Sequence, residues 1–184
     1  MADQTKTAEP SLEVAVFAGG CFWCTEAVFE SLRGVQSVRP GYAGGRVENP
    51  TYEQVCTGET GHAEVIRVEY DPAAISYDDL LTVFFAAHDP TTLNRQGHDV
   101  GTQYRSMILY TRESQRDSAE AFIKKLDDDA GRPVVTEVMP LVKFYEAEGY
   151  HHHYFINNPD KAYCQLVINP KLNLIKKRFS ELMS

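Results

Sequence analysis

The chain has 184 residues, of which 43% are hydrophobic, 11% aromatic and 24% charged, an ordinary globular composition that requires neither a metal nor a disulfide scaffold to fold. Eighteen basic against 26 acidic residues leave a net charge of −8, which argues against a general nucleic-acid binder and against a polybasic membrane-surface protein. No apolar run approaches the roughly 20 residues of a membrane span, and four cysteines are too few for a secreted disulfide framework. The first ten residues lack the pattern of a secretory signal, so a soluble, cytoplasmic protein is expected.

In chain order, residues 1–12 read as a flexible arm and residues 13–184 as one domain. Residues 14–18 are a short apolar run ended by Gly19-Gly20, as in a buried strand. Phe22, Glu26, Phe29 and Leu32 then recur at helical spacing, with Gly34 placed to end that helix. Residues 35–42 read as a second strand. Residues 63–70 alternate cleanly and stop at Asp71-Pro72. Ser76 and Asp79 resemble a capping box for a helix through about Ala87, with Leu80, Leu81, Phe84 and Phe85 on its apolar side. Residues 104–110 read as a fourth strand.

The order strand, helix, strand, strand, helix, strand is that of the split βαβ unit. The expected fold is therefore α+β, with a ferredoxin-like core, a mixed sheet with packed helices and an irregular C-terminal segment. After the core come a polar helix over 113–126 and a strand near 134–139. A last helix starts at Asn169-Pro170, a good cap and a good first residue, and docks through Leu172, Ile175, Phe179 and Leu182.

The chemistry concentrates in Ala18-Gly19-Gly20-Cys21-Phe22-Trp23-Cys24-Thr25-Glu26. A strand running through two glycines into a helix places Cys21 at the helix N-terminus, where free N–H groups and the positive dipole end favour a thiolate. Thiols so placed have pKa values of about 3.5–7.5 instead of about 8.5. The competing reading of Cys21 is a small buried hydrophobe. Phe22 and Trp23 fit ordinary core or the walls of an apolar pocket beside the thiol equally well. Cys21 and Cys24 form a Cys-x-x-Cys pair, but only one strand precedes it, unlike the βαβ precursor of a thioredoxin-type site. Cys56 and Cys164 stand alone, without the second close pair a zinc site needs. His151-His152-His153 point in different directions and read as part of a polar surface segment, not as metal ligands.

Glu64 is the second signal. Its period-2 partners Ile66, Val68 and Tyr70 form an apolar face, so its carboxyl is expected to be buried, to hold its proton and to serve as a general acid. The alternative is an acid at the strand's edge, turned out to water. A third segment, from Asn94 to Ser106, is polar, contains Gly97 and Gly101, and feeds a strand.

Together, Gly20-Cys21-Phe22-Trp23, Gly41-Tyr42-Ala43-Gly44-Gly45, Asn49-Pro50-Thr51-Tyr52, Thr60-Gly61-His62-Ala63-Glu64, His88-Asp89-Pro90 and Gly101-Thr102-Gln103-Tyr104-Arg105-Ser106 resemble the motifs of the peptide methionine sulfoxide reductase A family. The match runs in order from about residue 14 to residue 170. The resemblance implies reduction of the S epimer of methionine sulfoxide, free or in proteins, with thioredoxin as reductant. It implies no cofactor and no metal, and a monomer is expected. By position, Cys21 is the nucleophile and Glu64 the acid that protonates the sulfoxide oxygen. Tyr52 and Tyr104 hold that oxygen, Phe22 and Trp23 take the substrate's methyl group, and Asp99 with its neighbour His98 binds substrate nearby. A second thiol then condenses with the Cys21 sulfenic acid. Asn158-Pro159-Asp160-Lys161-Ala162-Tyr163-Cys164 resembles the family's C-terminal resolving segment, which makes Cys164 the first choice. The family more often has Gly where this chain has Cys24, so Cys24 is the alternative resolving thiol. Cys56 reads as structural. Rival readings are a dithiol oxidoreductase acting through Cys21 and Cys24, and a module that binds oxidised methionine or a metal without turnover.

Overall fold

The computed structural model describes residues 11–184, so the arm expected over 1–12 lies, up to residue 10, outside the described residues. The elements are β1 (Glu13–Gly19), α1 (Phe22–Glu30), β2 (Val35–Ala43), α2 (Tyr52–Cys56), β3 (Ala63–Tyr70), α3 (Tyr77–Ala87), β4 (Arg95–Gln96) and β5 (Asp99–Val100). They continue with β6 (Ser106–Tyr110), α4 (Glu113–Ala130), β7 (Glu137–Pro140), β8 (Phe144–Glu146), α5 (Tyr154–Asn157) and α6 (Asn169–Arg178).

The apolar strands β1 and β3 form the centre of the sheet. β1 runs antiparallel to β3 on one side, with Phe17 opposite Ile66, and to β6 on the other, with Phe17 opposite Ile108. β2 joins β3 with Tyr42 opposite Glu64. The resulting order β6-β1-β3-β2 is the split βαβ arrangement expected from the sequence. β8 adds antiparallel to β2, and β7 adds parallel to β6, which makes the sheet mixed.

Strand alternation sorts the side chains onto two faces. Phe17, Ile66, Val68 and Ile108 meet Phe29 from α1, Leu80 and Phe84 from α3, and Leu172 and Ile175 from α6 in the main core. On the opposite face Val16, Ala18, Val65 and Met107 are covered by Leu141 and Phe144. α3 begins as its residues dictate: the Asp79 N–H donates to Ser76 Oγ and the Ser76 N–H donates to the Asp79 carboxylate, both at 3.0 Å.

Several boundaries differ from the sequence reading: α4 runs on to Ala130, β7 begins only at Glu137, and three others have a clear cause. α1 stops at Glu30, where the N–H groups of Ser31 and Leu32 turn back to Val28 and Phe29, and Leu32 bridges to Met183 instead. Tyr104 lies in a 3₁₀ turn, Thr102–Tyr104, and the strand begins only at Ser106. Asn169 is not a cap. The helical path already runs through a π turn, Cys164–Ile168, and Asn169 itself has φ −60° and ψ −47°. Pro170 has no N–H, and its ring crowds the carbonyl one turn earlier. The wider π turn ahead of it accommodates both, so the helix passes through the proline instead of starting there.

Phe17 is fully buried and packs on Phe84, Phe29 and Tyr77 at ring-centroid distances of 4.9, 5.4 and 6.0 Å. Phe17→Ala should lower unfolding free energy by about 3–5 kcal/mol in urea denaturation. A loss under about 1 kcal/mol would show that these rings are not the centre of the core.

Candidate active site

The strand-to-helix turn comes first. Gly20 has φ +93°, and a Cβ there would stand 2.8 Å from the Gln96 side chain, so this turn requires glycine. Cys21 follows as the N-cap of α1, its carbonyl accepting the Cys24 N–H at 3.1 Å. The Phe22 N–H at the start of α1 donates to Glu64 Oε2 at 3.0 Å. Glu64 is 2% exposed on β3. Burial pushes its carboxyl up to about 8, reinforced by the charges of Asp99 and Cys24 and opposed by the Phe22 N–H, which favours the ionised form. The burial expected of Glu64 is what the structure shows.

The expectation of a depressed Cys21 pKa is not met. Burial pushes the Cys21 thiol well above its ordinary value, and the neighbouring Cys24 sulfur and Glu64 add to the rise. The Cys21 thiol in turn stabilises the Cys24 thiolate and brings Cys24 down to about 7, against its own burial. Of the two thiols Cys24 is the more acidic.

Around them, burial also raises the hydroxyls of Tyr52 and Tyr104, and the charge of Glu64 acts on both. Tyr52 opens α2, whose N-terminus is fixed by a capping box between Thr51 and Gln54. Tyr163 Oη donates to Asp99 Oδ2 at 2.9 Å and lies 3.6 Å from Cys24 Sγ. Cys164 is buried against Cys24, Ala27 and Ile168, with Cys21 at the edge of the same cluster. Three of the four cysteines therefore converge. Cys56 is exposed, one turn beyond Tyr52 on α2. His98 is exposed at the turn between β4 and β5, and no described contact brings it to this cluster.

Phe22 is fully buried, with Tyr42 and His151 at 5.8 and 4.9 Å. Trp23 remains partly exposed. It stacks on Tyr154 at 3.7 Å and 6°, meets Tyr163 edge-on, and donates Nε1–H to His151 Nδ1 at 2.9 Å. His151 overturns the reading of 151–153 as polar surface: its side chain is fully buried between the Phe22, Trp23 and Tyr52 rings. Burial lowers its pKa, consistent with the neutral ring that accepts at Nδ1. Nothing in the local sequence marks this burial, because the rings that enclose His151 come, apart from Tyr150, from distant parts of the chain.

One set of ligand-type atoms, from Glu26, Glu30 and His153, lies within 4.8 Å. Each is already engaged: Glu26 accepts two backbone N–H groups, and Glu30 pairs with the His153 ring at 2.6 Å. Among the described residues, no helix is long and apolar enough to cross a membrane.

A family model described as peptide methionine sulfoxide reductase matches residues 13–183. A Sulfolobus acidocaldarius protein named peptide methionine sulfoxide reductase MsrA is 56% identical over 170 residues, covering 92% of this chain and 97% of that protein. Among solved structures, Mxr1 of Saccharomyces cerevisiae in reduced form matches with TM-score 0.77 and 32% identity, over 86% of this chain and 94% of that one. Methionine sulfoxide reductase A of Corynebacterium diphtheriae matches with TM-score 0.74 and 37% identity, over 83% and 77%. Mxr1 in complex with Trx2 also matches, at TM-score 0.55 and 22% identity over 81% and 91%, a likeness of fold alone.

Glu64 binds its proton more tightly when folded, at about 8, than at its ordinary 4.5. Its contribution to stability is therefore full below about pH 4.5 and is lost as pH rises through about 8. Glu64→Gln should remove this dependence, so that urea midpoints of the wild type fall more steeply between pH 5 and 9 than those of the variant. Parallel slopes would place the carboxyl in water.

Proposed function

The chain belongs to the peptide methionine sulfoxide reductase A family, and we propose that it reduces the S epimer of methionine sulfoxide, free or in proteins, through Cys21, with thioredoxin as the final reductant. The observation that carries this reading is the buried Glu64 carboxyl, bonded to the N–H of the residue that follows Cys21, where burial favours its protonated form. A sulfoxide sulfur is a poor electrophile until its oxygen is protonated or strongly hydrogen-bonded. Glu64 supplies the proton, and the hydroxyls of Tyr52 and Tyr104, both of which Glu64 influences, hold the oxygen. The Cys24 thiolate takes the Cys21 proton as Cys21 attacks, which reconciles a raised Cys21 pKa with a nucleophilic role. The substrate's methyl group packs at the exposed side of Trp23.

The net first step moves one oxygen atom: sulfoxide and Cys21 thiol become thioether and Cys21 sulfenic acid. A second thiol then displaces water from that acid and forms a disulfide. Cys24 stands one helical turn from Cys21, and its pKa is brought down to about 7, whereas burial raises Cys164. Cys24 therefore attacks first, and Cys164, packed against Cys24, receives the disulfide by exchange. A thioredoxin-type dithiol closes the cycle, a role in keeping with the complex that Mxr1 forms with Trx2.

The test is a single turnover of reduced protein, without added reductant, on the separate S and R epimers of a blocked methionine sulfoxide, followed by disulfide mapping. One or more methionines per enzyme from the S epimer alone is expected, and no methionine from either would overturn the proposal. Cys21→Ser should abolish the reaction. Glu64→Gln should slow the first step by about 10²–10⁴-fold, and the wild-type rate should fall as pH rises through about 8. Cys164→Ser should stop at a Cys21–Cys24 disulfide; a sulfenic acid persisting there would make Cys164 the first resolving thiol. The rival dithiol-exchange reading, favoured by the Cys21–Cys24 contact, requires disulfide reduction that is indifferent to Glu64.

A further inference from the structure

We propose that Glu26 is a positioning residue for the sulfoxide site: its buried carboxylate grips the 151–154 segment and so holds His151 and Tyr154 against Trp23. The inference rests on the function proposed above and deepens it.

Trp23 and Glu26 stand three residues apart on α1 and share one side of the helix. Glu26 is 1% exposed. Its Oε1 accepts the His153 N–H at 2.8 Å, and its Oε2 accepts the Tyr154 N–H at 3.3 Å. His153 has φ +52° and ψ +36°, a left-handed conformation that residues with a Cβ disfavour. Two donors aimed at one carboxylate are what hold the backbone in that shape. The shape has a direct consequence for the site. Immediately after His153, the Tyr154 ring lies flat on Trp23, and two residues before it His151 receives the indole N–H. Helix α1 thus touches the segment at three successive points, and Glu26 supplies the only one that acts on its backbone among the described hydrogen bonds.

The grip depends on charge. Burial brings Glu26 up to about 7, the two N–H groups oppose that rise, and the facing ionisable groups are Glu30 on the same helix and His153 on the segment, with His152 acting on Glu30. Protonation turns one acceptor oxygen into a hydroxyl facing an N–H donor, so the segment loosens below about pH 7.

The chain contains a single tryptophan, so its emission reports this stack alone. At about pH 8.5, Glu26→Gln, verified as folded by circular dichroism, should show altered Trp23 emission. It should also raise KM for the S epimer by about 10–100-fold with kcat little changed, the mark of lost binding rather than lost chemistry. Glu30→Gln, which removes only a partner of the His153 ring, should keep wild-type emission. In the wild type, titration should show an emission step near pH 7 that survives Cys24→Ser and vanishes in Glu26→Gln. Wild-type emission and KM in folded Glu26→Gln, an equal change in Glu30→Gln, or no such step in the wild type would each overturn the proposal. The emission results stand even if the wild type reduces no sulfoxide, so failure of the proposed function and failure of the Glu26 role remain distinguishable.

Discussion

The bond from the Phe22 N–H to the Glu64 carboxyl is the contact around which the rest of the site is arranged. It joins the first turn of α1 to the middle of the sheet and so fixes where an acid stands relative to Cys21, the residue just before that N–H. It also directs the helix end's positive field at a carboxyl rather than at sulfur. A single N–H donor would ordinarily lower a carboxyl pKa, yet Glu64 rises to about 8, so burial outweighs the hydrogen bond. The burial comes from strand alternation: Glu64 shares its face with Ile66, Val68 and Tyr70, and that face lies under the helices.

Where local pattern and tertiary placement coincide, the sequence is readable. The run at 14–18, the alternation at 63–70 and the Ser76–Asp79 box each led to an observed element, and their order led to the split βαβ sheet. The elements not anticipated are short: α2 has five residues, α5 four, β8 three, and β4 and β5 two each. None spans enough residues to show a period. α2 did carry a usable sign, since Thr51 and Gln54 have the spacing of a capping box and make both of its bonds. His151 carried none. Its burial is created by Phe22, Trp23 and Tyr52, each roughly a hundred residues or more away in the chain, while its neighbours His152 and His153 are the polar residues they look to be.

The cysteines show how a sound local rule is overridden. A helix N-terminus does favour a thiolate, but only if the thiol is wet enough or bonded well enough to keep the charge. Cys21 instead neighbours another thiol and an acid, and packs at the edge of a cluster with Trp23, Tyr154 and Tyr163. The pair then places its charge where the surroundings favour it more. Lys171 helps hold that charge on Cys24, and no comparable cation acts on Cys21. In the proposed reaction a second cysteine at position 24 would thus enter the first chemical step as well as the resolving step.

The C-terminal third contains little regular structure around the site, yet it meets the site through directional bonds: His151 to Trp23, His153 and Tyr154 to Glu26, Tyr163 to Asp99. Most of these end on α1. This nine-residue helix carries Cys21 at its cap, the partly exposed Trp23 at its second position, Cys24 at its third and Glu26, bonded to the segment's backbone, at its fifth. With 1.5 Å of rise per residue, those four groups fall within about 8 Å along one axis. An irregular segment gripped at several points by so short a rigid element inherits that element's precision. For that reason a loop can serve here where a strand or helix would otherwise be needed to place an aromatic wall beside a reactive sulfur.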